Sequence, residues 1–136
     1  WSNRLSKEGY NIPHIHPSGW LSGVFYLQVP RDIKNKEAGI EFSLHGDDYK
    51  IVNKDSPTVS LIPKVGDLIL FPSSLYHKTI PFNSNEERIC IAFDINKIKY
   101  LFKDNLNLSF HHKKFFQYKK FVLLIKPFSM NQLYLI

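Results

Sequence analysis

The chain has 136 residues and a mass of 16.0 kDa, which fits one domain that can bury a core without help from a metal or a disulfide. Hydrophobic residues make up 43% of the chain and charged residues 22%, which excludes a wholly disordered, collagen-like or coiled-coil protein. The single cysteine, Cys90, excludes an internal disulfide and a cysteine-rich zinc site, and it predicts a reducing, cytoplasmic environment. The longest strongly apolar run, residues 121–125, is too short to cross a bilayer.

Residues 1–96 predict an all-β domain. They contain all six glycines and seven of the eight prolines, which separate short segments rich in β-branched and aromatic residues. This pattern is typical of a sandwich or jelly roll. We predict strands, in chain order, at 10–16, 21–29, 38–44, 48–52, 57–62, 67–71, 75–80 and 88–95. Because the chain begins at Trp1 rather than Met, and its first eleven residues have the character of interior sequence, we expect an amino-terminal portion to be missing.

Residues 97–136 form a tail of different composition. The tail holds eight lysines, one acidic residue and no glycine, whereas residues 1–96 hold ten basic and eleven acidic side chains. The net charge of +6 therefore belongs to the tail. Lysines interleaved with aromatic residues could contact nucleic acid or lie as an amphipathic helix on a membrane surface. We favour the plainer alternatives, a helix packed on the domain or a poorly constrained segment, and assign the domain no nucleic-acid function.

Histidines carry the most specific chemistry in the sequence. His14 and His16 are two residues apart in a predicted strand, so their imidazoles project from the same face. Two neutral imidazoles on one face are a recurrent way to hold divalent iron, zinc or copper. A third ligand must come from a distant strand, and His77 is the best candidate; the alternative is that each is a solvated turn histidine. The other histidines are predicted to be surface residues: His45, His111 and His112.

Four segments follow one another in a specific order: residues 14–27 (HIHPSGWLSGVFYL), 39–42 (GIEF), 63–77 (PKVGDLILFPSSLYH) and 81–94, which ends in ERICIAFD. Together they resemble the 2-oxoglutarate- and Fe(II)-dependent oxygenases, in the branch with a Ser-Gly-Val-Tyr-Tyr segment and a later Phe-Pro-Ser…His segment. The resemblance covers about residues 1–96 and no part of the tail. It implies a double-stranded β-helix, that is, a jelly-roll or cupin-like barrel.

The resemblance also implies roles for individual residues. His14 would be the first iron ligand and His77 the distal one. Arg88, which follows His77 after ten intervening residues, would anchor the far carboxylate of 2-oxoglutarate. A planar guanidinium suits this task, because it forms two parallel charge-assisted hydrogen bonds with a carboxylate and stays charged when buried. The alternative for Arg88 is a surface ion pair with Glu86 or Glu87.

Two further positions leave alternatives open. Tyr26 could donate its hydroxyl to the same carboxylate from a facing strand, although a core aromatic with a satisfied hydroxyl is the more common role. His16 stands where the superfamily usually has a carboxylate ligand. Without that negative ligand an iron site is more positive, which should favour the dianionic co-substrate and weaken retention of the metal. The sequence leaves open whether His16 binds iron or whether two histidines and water complete the site.

The activity implied by the resemblance couples decarboxylation of 2-oxoglutarate to succinate with C–H hydroxylation of a substrate. A cupin-type three-histidine metalloprotein is an alternative, disfavoured because Trp20 and Leu21 stand where cupins have a glutamate. A non-catalytic jelly-roll binding module is another. Neither the substrate, small molecule or protein, nor the oligomeric state follows from the sequence.

Overall fold

The computed structural model describes residues 1–46 and 57–96, together with the backbone of two short strands further along the chain. These regions contain the strands β1 (Ser2–Leu5), β2 (Leu21–Gln28), β3 (Ile40–Ser43), β4 (Val59–Leu61), β5 (Leu68–Pro72), β6 (Tyr76–Thr79), β7 (Arg88–Ile95), β8 (Leu123–Ile125) and β9 (Tyr134–Leu135). Within the described residues there is no helix, and hence none long and apolar enough to cross a membrane. The prediction of an all-β domain is confirmed.

The strands form two antiparallel sheets. The larger sheet has the order β1-β7-β2-β5-β8-β9 and the smaller one the order β4-β3-β6. Strands that are neighbours in the sheets are mostly not neighbours in sequence, because the chain crosses repeatedly from one sheet to the other. This connectivity is the jelly roll that the sequence predicted.

The core lies between the two sheets. Phe42 of the smaller sheet meets Phe71 of the larger one edge to face, with ring centroids 5.0 Å apart. On β7, alternate residues face the core, because successive side chains of a strand point to opposite faces. This inner row consists of Arg88, Cys90, Ala92 and Asp94, and it has a charged residue at each end.

Most of the predicted strands occur in the structure. The predictions at 21–29, 38–44, 57–62, 67–71, 75–80 and 88–95 each contain one strand, displaced by at most a residue or two at the ends. The predicted strand at 48–52 lies outside the described residues. The tail contributes β8, which pairs with β5, and β9, which pairs with β8. The other tail residues, on which the helical alternative rested, also lie outside the described part.

The predicted strand at 10–16 is wrong. This segment makes only an isolated bridge, in which His14 and His77 exchange backbone hydrogen bonds of 3.1 and 3.0 Å. Pro13 and Pro17 interrupt the backbone donors on either side, since proline has no N–H to give to a ladder. The first strand of the chain is instead β1, which pairs with β7 at the edge of the larger sheet. Its polar sequence, Ser-Asn-Arg-Leu, did not predict a strand.

Candidate metal centre

Three histidines distant in sequence lie together at one end of the barrel. One ring nitrogen from each of His14, His16 and His77 lies within 4.8 Å of the corresponding nitrogen of the other two. The ring centroids are 4.3 Å apart for His14 and His77, 5.1 Å for His16 and His77, and 5.2 Å for His14 and His16. This is the trio that the sequence analysis singled out, and the structure brings all three members together.

The backbone fixes the positions of these rings. His77 lies on β6 in the smaller sheet, and the bridge to His14 sets the two residues side by side. The amide of His16 donates to the carbonyl of Ser73, 2.9 Å away, which attaches the segment to the turn after β5. Both histidines of this proline-flanked segment are therefore fixed by backbone hydrogen bonds, although the segment forms no regular strand ladder.

The ring hydrogen bonds define the tautomer of each histidine. Nδ1 of His14 lies 2.7 Å from the carbonyl oxygen of Ile12, and Nδ1 of His77 lies 3.0 Å from that of Leu75. A carbonyl oxygen only accepts, so both Nδ1 atoms carry the proton and donate. Nδ1 of His16 faces a carboxylate in the same way. Each ring thus keeps the lone pair of Nε2 for another partner, as metal-bound histidines do.

The protonation state of His77 suits a metal ligand. Its side chain is buried, and burial lowers its pKa to about 4. The imidazole is therefore neutral near pH 7. A metal ligand has to be neutral imidazole, so no proton needs to be expelled from this ring when an ion binds.

Arg88 lines the same cavity as the three histidines. It is only 2% exposed, at the first position of β7. Its Nε donates to the carbonyl of Ala38 at 3.0 Å, Nη2 donates to the hydroxyl of Tyr26 at 3.1 Å, and Nη1 lies 3.6 Å from Sγ of Cys90. These neutral contacts orient the guanidinium and leave its charge uncompensated.

The expected surface partners of Arg88 are engaged elsewhere. Glu86 pairs with Arg31 at 2.5 Å and Glu87 pairs with Arg4 at 2.7 Å. Arg88 has no carboxylate partner within residues 1–46 and 57–96. A buried cation without a counter-ion is costly, because its desolvation is not repaid. The alternative of a surface ion pair is therefore wrong, and the arrangement suits an incoming anion.

Tyr26 lies behind Arg88. It is fully buried, and its hydroxyl accepts the hydrogen bond from Arg88, with the guanidinium carbon 4.9 Å from the ring centroid. Burial raises the pKa of this hydroxyl to about 12, so it stays protonated. The residues that line the cavity do not include Tyr26. Its observed contact is with Arg88, as expected of a core aromatic with a satisfied hydroxyl.

Asp94 and Ser22 belong to the site, although the sequence analysis gave them no role. The Asp94 carboxylate lies 2.9 and 3.0 Å from Nδ1 of His16, and Ser22 donates to it at 2.6 Å. Asp94 is six residues after Arg88 on one strand, so alternation alone places both on the inner face. The alternation of side chains along the predicted strand could therefore have identified Asp94 as a site residue.

Among the described residues, one further histidine occurs, and it is not part of this group. His45 lies outside the cluster formed by His14, His16 and His77. His111 and His112 lie outside the described residues, so their predicted surface positions stay predictions.

Comparison with known proteins places the chain in a family. Residues 1–94 match the family described as "Putative 2OG-Fe(II) oxygenase". The match covers more than half of the chain, which therefore belongs to this family of oxygenases. None of the curated proteins matches the chain.

Two solved structures are similar to this chain. A Pseudomonas putida prolyl-4-hydroxylase has a TM-score of 0.50 and 16% identity, over 71% of this chain and 50% of that one. A 2OG-Fe(II) oxygenase family oxidoreductase from Burkholderia pseudomallei has a TM-score of 0.49 and 18% identity, over 67% of this chain and 38% of that one. The chain thus spans half or less of the length of these structures. The prolyl-4-hydroxylase likeness concerns the fold alone.

Proposed function

We propose that residues 1–96 carry the metal- and co-substrate-binding core of a Fe(II)- and 2-oxoglutarate-dependent dioxygenase. The enzyme would couple decarboxylation of 2-oxoglutarate to succinate with hydroxylation of a substrate C–H bond. The observation that carries this proposal is a buried arginine, with no carboxylate partner in the part of the chain that the structure describes, in the cavity that three convergent histidines also line.

The histidines suit Fe(II) as a group. His14, His16 and His77 offer neutral nitrogen ligands with the other ring nitrogen already hydrogen-bonded, and imidazole is a suitable donor for iron. Three protein ligands would leave positions on the metal for a chelating co-substrate and for O₂. When bound, Fe(II) supplies the oxidative chemistry in which 2-oxoglutarate and O₂ become succinate and CO₂ and the substrate gains a hydroxyl group.

Arg88 suits the distal carboxylate of 2-oxoglutarate. The remaining N–H donors of its guanidinium have no partner among the described residues, and a carboxylate accepts two such donors in parallel. Pairing would also neutralise the buried charge. The contacts with Ala38 and Tyr26 hold the guanidinium in place before the co-substrate arrives, which lowers the entropy lost on binding.

The protein's contribution to the reaction would be binding, orientation and exclusion of water. The cavity is lined by apolar side chains between the histidines and Arg88, among them Val24, Ile40 and Phe71. Such a wall limits the water that reaches a bound oxidant. No described side chain needs to act as a general base in this scheme.

The test is turnover of the co-substrate by the purified chain. Without a substrate C–H bond to oxidise, the second oxygen atom of O₂ must be reduced by an added reductant, so ascorbate is included with Fe(II), 2-oxoglutarate and O₂. Succinate should form only when Fe(II), 2-oxoglutarate and O₂ are all present, and His77→Ala should abolish its formation. Failure to bind Fe(II) and to decarboxylate 2-oxoglutarate would overturn the proposal. Fe(II) binding without 2-oxoglutarate binding would instead favour the cupin-type three-histidine metalloprotein.

A further inference from the structure

His16 is supported differently from the other two histidines of the cluster. The rings of His14 and His77 donate to neutral backbone carbonyls, whereas the ring of His16 donates to the carboxylate of Asp94. Both carboxylate oxygens lie within 3.0 Å of Nδ1. Of the three rings in the cluster, the ring of His16 is therefore the one whose Nδ1 contacts a negatively charged group.

The carboxylate is itself held in place by buried hydroxyls. Ser22 lies directly opposite Asp94 in the pairing of β2 with β7 and donates to Oδ1 at 2.6 Å. Since a serine hydroxyl has one proton, the 2.8 Å contact between Ser22 and Ser73 is then a hydrogen bond donated by Ser73. Both serines are nearly inaccessible to solvent. The row runs from Ser73 through Ser22 and Asp94 to His16.

Asp94 lies on the wrong side of the ring to be a ligand of the same ion. It faces Nδ1, and among the described residues the group of side chains able to share one ion consists of the three histidines. Three neutral imidazoles bring no negative charge to a divalent cation. A carboxylate one hydrogen bond away makes the ring more basic and supplies part of that charge.

We propose that Asp94 is the positioning residue of the metal centre. It fixes the tautomer and the orientation of His16 and provides, through the ring, the negative charge that the ligand set lacks. This inference rests on the proposed function, because it requires that the histidines bind a divalent metal.

The experiment measures metal binding alone, with Co(II) as a spectroscopic substitute for Fe(II). Asp94→Asn keeps the size and the acceptor of the side chain and removes its charge. We expect it to weaken Co(II) binding by about 10- to 100-fold and to alter the visible Co(II) absorption spectrum. The matched control is Asp32→Asn, since exposed Asp32 also accepts a hydrogen bond from a serine, Ser84, but lies outside the site.

A second background separates charge supply from a structural role. His16→Asp puts a carboxylate directly into the ligand set, and the negative charge of Asp94 then becomes superfluous. In that background Asp94→Asn should not weaken Co(II) binding, because it removes repulsion between two neighbouring carboxylates. Equal weakening in both backgrounds, or no weakening in the native one, would overturn the inference while leaving the proposed function intact.

Two other outcomes are also decisive. If the native chain binds neither Co(II) nor Fe(II), the proposed function fails and this inference fails with it. If Asp94→Asn does not fold, as judged by circular dichroism, Ser22→Ala becomes the test, because it keeps the charge and removes one support of the carboxylate. A Co(II) spectrum and affinity unchanged by Ser22→Ala would then overturn the inference.

Discussion

The two halves of the candidate site are held by different kinds of backbone. His77 and Arg88 lie on the regular strands β6 and β7, whereas His14 and His16 lie in a segment that makes only one bridge. In the first half, strand pairing positions the side chains. In the second, single hydrogen bonds and the flanking prolines do so. The comparison shows that one end of the site is rigid by architecture and the other by local restraints.

Loss of a ligand from the strand half should have the largest effect. His77→Ala removes a buried neutral ligand that the sheet holds in place. We expect Fe(II) affinity, measured by anaerobic calorimetry, to fall by more than about 100-fold. His45→Ala is the matched control and should leave affinity unchanged. Comparable affinities for the two variants would remove His77 from the ligand set.

Loss of the anchor should separate co-substrate binding from metal binding. Arg88→Gln leaves the histidines intact and removes the buried cation, so 2-oxoglutarate affinity should fall by about 30-fold or more. Fe(II) affinity should stay within about three-fold. Arg31→Gln, at an exposed arginine that pairs with Glu86 and lies outside the cavity, is the control. Parallel loss of metal and co-substrate binding would mean that Arg88 supports the fold rather than the ligand.

Tyr26→Phe distinguishes the two roles considered for Tyr26. If the hydroxyl only supports Arg88, the free energy of unfolding should fall by about 1 kcal/mol and 2-oxoglutarate affinity by less than about five-fold. A hydroxyl that donates directly to the carboxylate would give a loss of about ten-fold or more. Urea unfolding and co-substrate titration on the same preparation measure both quantities.

Loosening the irregular half should have the smallest effect. Pro13→Ala gives the segment before His14 more conformations in the metal-free chain, at a cost of about 0.4–1 kcal/mol. Co(II) affinity should then fall by about two- to five-fold. Pro81→Ala, at an exposed proline outside the cavity, should lower stability similarly without changing the affinity. Equal Co(II) affinities for both variants and the native chain would show that Pro13 does not restrain the ligands.

The regular half of the molecule was predictable because its sequence signals are local. Segments rich in β-branched and aromatic residues, with glycine or proline at their boundaries, predicted β2, β5 and β7, and Arg88 begins its strand at the residue expected. Neither the edge strand β1 nor the Pro13–Pro17 segment carries such a signal, because the positions of both depend on partners far away in the sequence. The three histidines were nonetheless identified, because the His-x-His spacing is itself a local signal, although the strand that was expected to carry His14 and His16 is absent.

The partner of a side chain was harder to predict than its place. Nothing local in the sequence indicates that Glu86 and Glu87 pair with Arg31 and Arg4, so that neither glutamate is available to Arg88. The contact of Asp94 with His16 joins residues that are 78 positions apart in the sequence. Alternation places Asp94 inside, but only the folded structure shows which ring it contacts.

The bridge between His14 and His77 has a consequence for the order in which the site assembles. About sixty residues separate the two, and closing such a loop costs entropy that only the folded sheets repay. An ion added to the unfolded chain can meet the neighbouring His14 and His16, but the third nitrogen arrives only when β6 has paired with β3. If the three histidines bind an ion as proposed, metal binding should therefore be a late event in folding, and the bound ion should slow unfolding by linking the two segments.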